Sequence, residues 1–140
     1  MKDFRRFIED NLKWFEGSGH ETDATLDEAE RRLSVKFPEE VRWLLKTYGY
    51  GPATGICSLE DTVADTLAAR EHLALPDRYI VLYDHQDGGV ILLDTEPDPA
   101  SGQHRVYNAA WQSIPDGMGD EIIYPSYAGY VTDVMAMQDI

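Results

Sequence analysis

Two amphipathic helices separated by a proline are written into residues 25–51, and they constrain the fold of this chain more than any other stretch. Thr25 and Glu28 have capping-box spacing. The hydroxyl can accept from a free N–H of the first turn while the Glu carboxylate reaches back to the cap, so a helix is expected over about 26–34. Leu26, Ala29 and Leu33 fall on one face of it. Phe37-Pro38 ends that helix and opens another over 38–48, because proline in a first turn forfeits no hydrogen bond. Val41, Leu44, Leu45 and Tyr48 recur at i, i+3, i+4 and i+7, and Gly49 is placed to end the helix. Leu44 and Leu45 should therefore lie in the core.

On either side the pattern changes in an ordered way. Phe4, Phe7, Ile8, Leu12 and Phe15 predict an amphipathic helix over 2–15, ended by Gly17-Ser18-Gly19. Gly49–Gly55 is a glycine-rich connector, after which Ser58 can cap a helix over 59–73 carrying Leu59, Val63 and Leu67. Tyr79–Tyr83 and Val90–Leu93 are β-rich runs around the turn-forming string from Asp84 to Gly89, and predict an antiparallel hairpin. Both runs are continuously apolar, so the hairpin should lie centrally with both faces covered. His104–Tyr107 reads as a third strand and Trp111–Ile114 as a short strand or loop. Tyr127, Tyr130, Val131, Val134 and Met135 predict a closing helix from Ser126 to about Gln138. The order predicts one α+β domain over residues 1–140, an antiparallel sheet with helices packed on one side of it.

The 140 residues carry a formal net charge of −14, unevenly spread. Residues 1–78 hold 11 basic and 16 acidic side chains, whereas residues 79–140 hold only Arg105 against 10 acids. A surface of this kind repels nucleic-acid phosphates and anionic membranes and attracts cationic partners. No apolar run approaches the ~20 residues of a membrane span, and the N-terminus lacks the apolar core and cleavage site of a signal peptide. Cys57 is the only cysteine, expected as a small buried hydrophobe, and it excludes an intramolecular disulfide or a cysteine-based metal cluster. The chain reads as a cytoplasmic protein.

Catalytic and ligand-binding patterns find no match. His20, His72, His85 and His104 are dispersed, and no serine sits in a G-x-S-x-G elbow. Read as a calcium loop from Asp84, the turn supplies Gly89 at the sixth position but Thr95 where a bidentate Glu is needed, so it reads as a polar turn. Gly49–Gly55 follows a helix and runs into Ile56-Cys57, without the Lys and Ser/Thr of a phosphate loop. Neighbouring acids such as Glu39-Glu40 and Asp120-Glu121 point in different directions, and nothing selects a catalytic pair. No catalytic residue, metal ligand or cofactor is assigned.

The helix pair, through Glu30, Leu33, Pro38, Val41, Leu44, Leu45, Tyr48, Gly49 and Gly51, resembles the SUKH superfamily, the domain of the yeast cell-wall synthesis regulators and of many bacterial immunity proteins. The Gly49–Gly55 connector and the Ser126-Tyr127 start of the closing helix, with Tyr130, fit the same resemblance. It implies a helix pair, a meandering sheet and a final helix. It also implies a non-enzymatic immunity protein that binds and neutralises a cognate toxin, such as a nuclease with a basic cleft. The yeast members imply an alternative, a scaffold or regulatory interaction domain; an uncharacterised enzyme is the further alternative.

For toxin binding the acidic turns of the second half are the candidates: Asp84, Asp87, Glu96, Asp98, Asp116, Asp120 and Glu121, offset only by Arg105. Trp43 lies off the Val41/Leu44/Leu45/Tyr48 stripe and is the alternative anchor, although packing against another helix is the expectation for it.

Overall fold

In the computed structural model, which describes residues 1–86, 89–116 and 122–138, the central helix pair forms as α3 (Asp23–Leu33) and α4 (Glu39–Thr47). The capping box lies one turn earlier than Thr25 and Glu28 would place it. Thr22 Oγ1 accepts from Thr25 N at 3.2 Å while Thr25 Oγ1 accepts from Thr22 N at 2.9 Å, so two hydroxyls satisfy the two free amides reciprocally. Glu28 is instead paired with Arg31 on the exposed face. Pro38 is the cap of α4, not its first residue, and Gly49 follows α4 with φ +74, its N–H donating to Leu44 O at 3.2 Å. Glu30 ties the two helices together. Its carboxylate, 6% exposed, accepts from Phe37 N at 2.7 Å and pairs with Arg42 at 3.1 Å. Leu44 and Leu45 are buried as expected, at 0% and 1% exposure.

The N-terminal segment is two helices, α1 (Lys2–Asp10) and α2 (Leu12–Phe15), where one was expected. The break is at Asn11, whose side-chain amide donates to Phe7 O at 2.8 Å, a local bond that competes with helix continuation. Ser58 caps α5 (Leu59–Leu73) by accepting from Asp61 N, with the bounds the sequence implies.

The sheet is an antiparallel meander in the order β1-β2-β3-β4, with β1 Tyr79–Asp84, β2 Val90–Asp94, β3 Val106–Ala109 and β4 Ile122–Tyr124. β3 starts two residues later than His104, Trp111–Asp116 is a 3-10 helix, and β4 is a strand the sequence did not reveal. Every residue of β2 is buried: Val90–Leu93 form an apolar run, and Asp94 is bonded to Arg78. The hairpin is not central, however, because β1 is an edge. Its outward amide Val81 N donates to Thr66 Oγ1 at 2.9 Å, and Leu82 O accepts from Cys57 N, so α5 and the segment before it cover that edge.

Both faces of the sheet are packed, not one. Ile80, Leu82, Ile91, Leu93 and Val106 join the core made by α1–α4, the start of α5 and α6 (Tyr127–Gln138). Val81, Val90, Leu92, Tyr107 and Ala109 pack with Ala69, Leu75 and Ile114, from the end of α5, the residues after it and the 3-10 helix. That second layer places the end of α5 and the 3-10 helix beside the β1–β2 turn. A register shift between Val81 and Tyr83 marks a bulge in β1 just before that turn.

Candidate functional site

Of the carboxylates singled out in the second half, the described Asp84, Glu96 and Asp98 lie at two ends of the sheet. Glu96 and Asp98 follow β2, at the end of the sheet where β1 begins, and both face arginines there. Arg78 holds Asp94 through two bonds of 2.9 and 2.7 Å and reaches Glu96 at 3.1 Å. Arg105 pairs with Asp98 at 3.3 Å. The Asp98 carboxyl is held below its ordinary range, first by the Ala100 N–H and then by Arg105. Arg105 is therefore not the lone offset, since Arg78 from the first half joins it. This end is an internally satisfied network. Glu96 and Asp98, expected as partner-binding charges, are members of it.

Asp84 lies at the opposite end, at the close of β1. Its Oδ1 accepts from Gln86 N at 2.7 Å and from the indole Nε1 of Trp111 at 2.9 Å, so one carboxylate fixes the turn and the tryptophan together. Asp65 of α5 comes into the same region. Burial pushes its carboxyl upward, and so do the nearby negative charges of Asp84 and Asp61. The ion pairs among the described residues leave Asp61, Asp65 and Asp84 out. A cleft of about 310 Å³ opens between α5 and Trp111, with Asp65 and Asp84 in its lining.

Asp61 and Asp65 escaped the sequence reading because they belong to the less acidic half. The signal was their i, i+4 spacing, which puts both on one face of α5. Asp87, Asp120 and Glu121 lie outside the described residues. Of Asp116 the backbone alone is described, in the 3-10 helix. Trp43 is committed to helix packing, edge-on to Phe4 and Tyr48 with ring centroids 6.0 and 5.7 Å away, and beneath the Arg5 guanidinium.

On the other side of the β1–β2 turn lies a second concavity of about 250 Å³, bordered by Tyr83, His85, Tyr124, Tyr130 and Met137. Tyr83, 37% exposed, stacks on His85 with centroids 4.5 Å apart. One wall is the glycine-rich connector, clamped from α6: Tyr127 Oη donates to Thr54 O at 2.6 Å and Tyr130 Oη to Gly55 O at 2.7 Å. Gly55 has φ +74, and a Cβ there would stand 2.5 Å from the Tyr130 ring, so the connector needs glycine at that point. The connector and the tyrosines of the closing helix, distant in sequence, are thus one structural unit.

Cys57 is exposed, not buried as expected. Its Sγ lies 3.1 Å from Asp61 Oδ2, and that contact pushes the thiol upward, opposite to what a nucleophilic thiolate needs. His104 Nδ1 is bonded to Asp94 O at 2.9 Å, while His20 and His72 are exposed. Among the described residues, no three His, Cys, Asp or Glu side chains group as metal ligands would.

With helix pair, connector, meander and closing helix in place, the comparison with known families is decisive. The family model SUKH_5, described as SMI1-KNR4 cell-wall, matches residues 4–136. The chain belongs to this family. SUKH proteins include toxin-immunity proteins and are in general non-catalytic immunity or regulatory domains. No curated protein matches the chain. Among the described residues of this SUKH domain, no helix is long and apolar enough to cross a membrane.

Proposed function

We propose that this SUKH domain is a cytoplasmic immunity protein that binds a cognate toxin with a basic surface and blocks it, without catalysis, cofactor or nucleic acid. The observation that carries the reading is the asymmetry of the sheet. Its Asp94/Glu96/Asp98 end is matched by arginine, whereas Asp65 and Asp84, towards the other end, enter no ion pair among the described residues. Uncompensated carboxylates at an exposed, aromatic-rimmed edge attract a basic protein and orient its approach. A toxin cleft shaped for phosphates, as in a nuclease, supplies the matching charge. Asp84 and Asp65 lead the interface, and Asp87, Asp116, Asp120 and Glu121 are proposed to extend it.

Co-expression with the product of the neighbouring open reading frame tests the reading. A stoichiometric complex in which that protein's toxicity is abolished is the expected result. Several weak partners without toxicity would favour a regulatory scaffold, and a substrate turned over by the purified domain would favour an enzyme.

A further inference from the structure

The cleft between α5 and the 3-10 helix has two kinds of wall. Ala68 and Ala69 make one side shallow, and Leu73 and the half-buried Trp111 supply apolar surface. Asp65 and Asp84 are the acidic groups in its lining. The Trp111 indole is fixed through its N–H to Asp84 Oδ1. Both bonds of Asp84 fall on Oδ1, and among the described residues Oδ2 of Asp84 and the carboxylate of Asp65 take part in no hydrogen bond or ion pair. His72 also lines the cleft, its exposed ring 3.8 Å from Glu71.

A side chain suited to this lining must be flat and apolar on its faces, cationic, and able to give hydrogen bonds to two carboxylates. Arginine meets all three demands. Its guanidinium packs against aromatic faces and donates in a fork, whereas the ammonium of lysine is a compact, strongly hydrated charge. We infer that the α5–Trp111 cleft is the receptor for a single arginine of the partner protein, held between Trp111 and the carboxylates of Asp65 and Asp84. This deepens the immunity reading and rests on it for the identity of the partner, though the cleft's affinity for arginine is testable without a toxin. Asp65 sits in the cleft partly desolvated and facing the like charges of Asp84 and Asp61, a situation a bound guanidinium relieves.

The test is titration of the isotope-labelled domain with three capped tripeptides, Gly-Arg-Gly, Gly-Lys-Gly and Gly-citrulline-Gly, followed through the indole N–H resonances. Trp111→Phe assigns the Trp111 signal against Trp14 and Trp43. The expected result is a saturable shift of the Trp111 resonance with the arginine peptide, a weaker one with lysine and none with citrulline. Asp65→Asn, which breaks no hydrogen bond among the described residues, should weaken the arginine response about fivefold, while Glu9→Gln on helix α1 should leave it unchanged. A Trp111 resonance that does not move, or one that moves equally with citrulline, overturns the inference. Binding of the cognate toxin by the same samples separates the two claims. Toxin binding without an arginine response sinks the cleft and spares the immunity reading. An arginine response with no toxin bound does the reverse.

Discussion

At one end of the sheet Asp94, Glu96 and Asp98 face Arg78 and Arg105; at the other, Asp65 and Asp84 face one another. In sequence Asp84, Asp94, Glu96 and Asp98 look alike, acids in or beside turns, and Asp65 is one more acid on a helix. The fold gives them opposite work. The arginine-matched end holds a loop to the sheet, and its charge is spent internally. At the unmatched end burial and the charges of Asp84 and Asp61 disfavour the ionised form of Asp65, which an outside cation would offset. Net charge alone therefore does not locate a docking surface: what counts is acid left over after the fold's own cations have been placed.

The comparison breaks most visibly if the matched end proves dispensable. Leu44→Ala in the helix pair sets the upper scale, with an expected loss of about 2–5 kcal/mol in chemical denaturation. Arg78→Ala should come next, at about 2–3 kcal/mol. It leaves Asp94, whose side chain is 6% exposed, without its cation, and the partial exposure of Arg78 keeps the cost below that of a fully buried pair. Tyr127→Phe should cost about 1–3 kcal/mol by leaving the buried Thr54 carbonyl without a donor, and would show that the connector depends on the closing helix. At the unmatched end Asp84→Asn and Asp65→Asn should change stability by no more than about 0.5 kcal/mol, since an Asn oxygen still accepts from Gln86 and Trp111. A loss at Asp84 as large as that at Arg78 would erase the distinction between the ends.

Acid titration sharpens the contrast further. Asp98 has a folded pKa depressed below its ordinary value, so its contribution is complete above the unfolded carboxylate range and is lost as pH falls through the folded value. Asp65 is shifted upward, so it favours the folded state when protonated and loses that advantage as pH rises from the unfolded value through the folded one. Denaturation midpoints across the acidic range should show Asp98→Asn flattening the fall in stability towards low pH. Asp65→Asn should give a small relative gain towards neutrality. Identical pH profiles for the two variants would contradict the assignment.

Much of this was legible in the sequence, and the misses have physical causes. Ser58 and the apolar spacing of α5 mark that helix to the residue, and Leu44 and Leu45 are core because the stripe has one period and one cap. β4 was not legible because three residues carry no alternation to read. The start of α3 was misplaced because Thr22 and Thr25 compete as caps, and only the fold decides between them. At the candidate site Asp84 was named from its turn, but its cleft was not. Asp65 and Trp111 reach it only through the packing of α5 and the 3-10 helix on the sheet's second face, contacts between residues far apart in the chain. The pairing of Glu96 and Asp98 was hidden for the same reason, since Arg78 lies before β1 and meets them only when the strands align.

The central claim is that unmatched acid at the Asp84 end recruits a basic toxin, and association kinetics test it most directly. Surface plasmon resonance with the cognate toxin at several salt concentrations should show an on-rate that falls steeply as salt rises, since exposed charges are screened beyond about 8–10 Å at physiological ionic strength. The Asp65→Asn/Asp84→Asn double variant should slow association while its circular dichroism stays native, whereas Glu96→Gln should leave the on-rate nearly as it was. An on-rate indifferent to salt, with full binding by the double variant, would contradict the account.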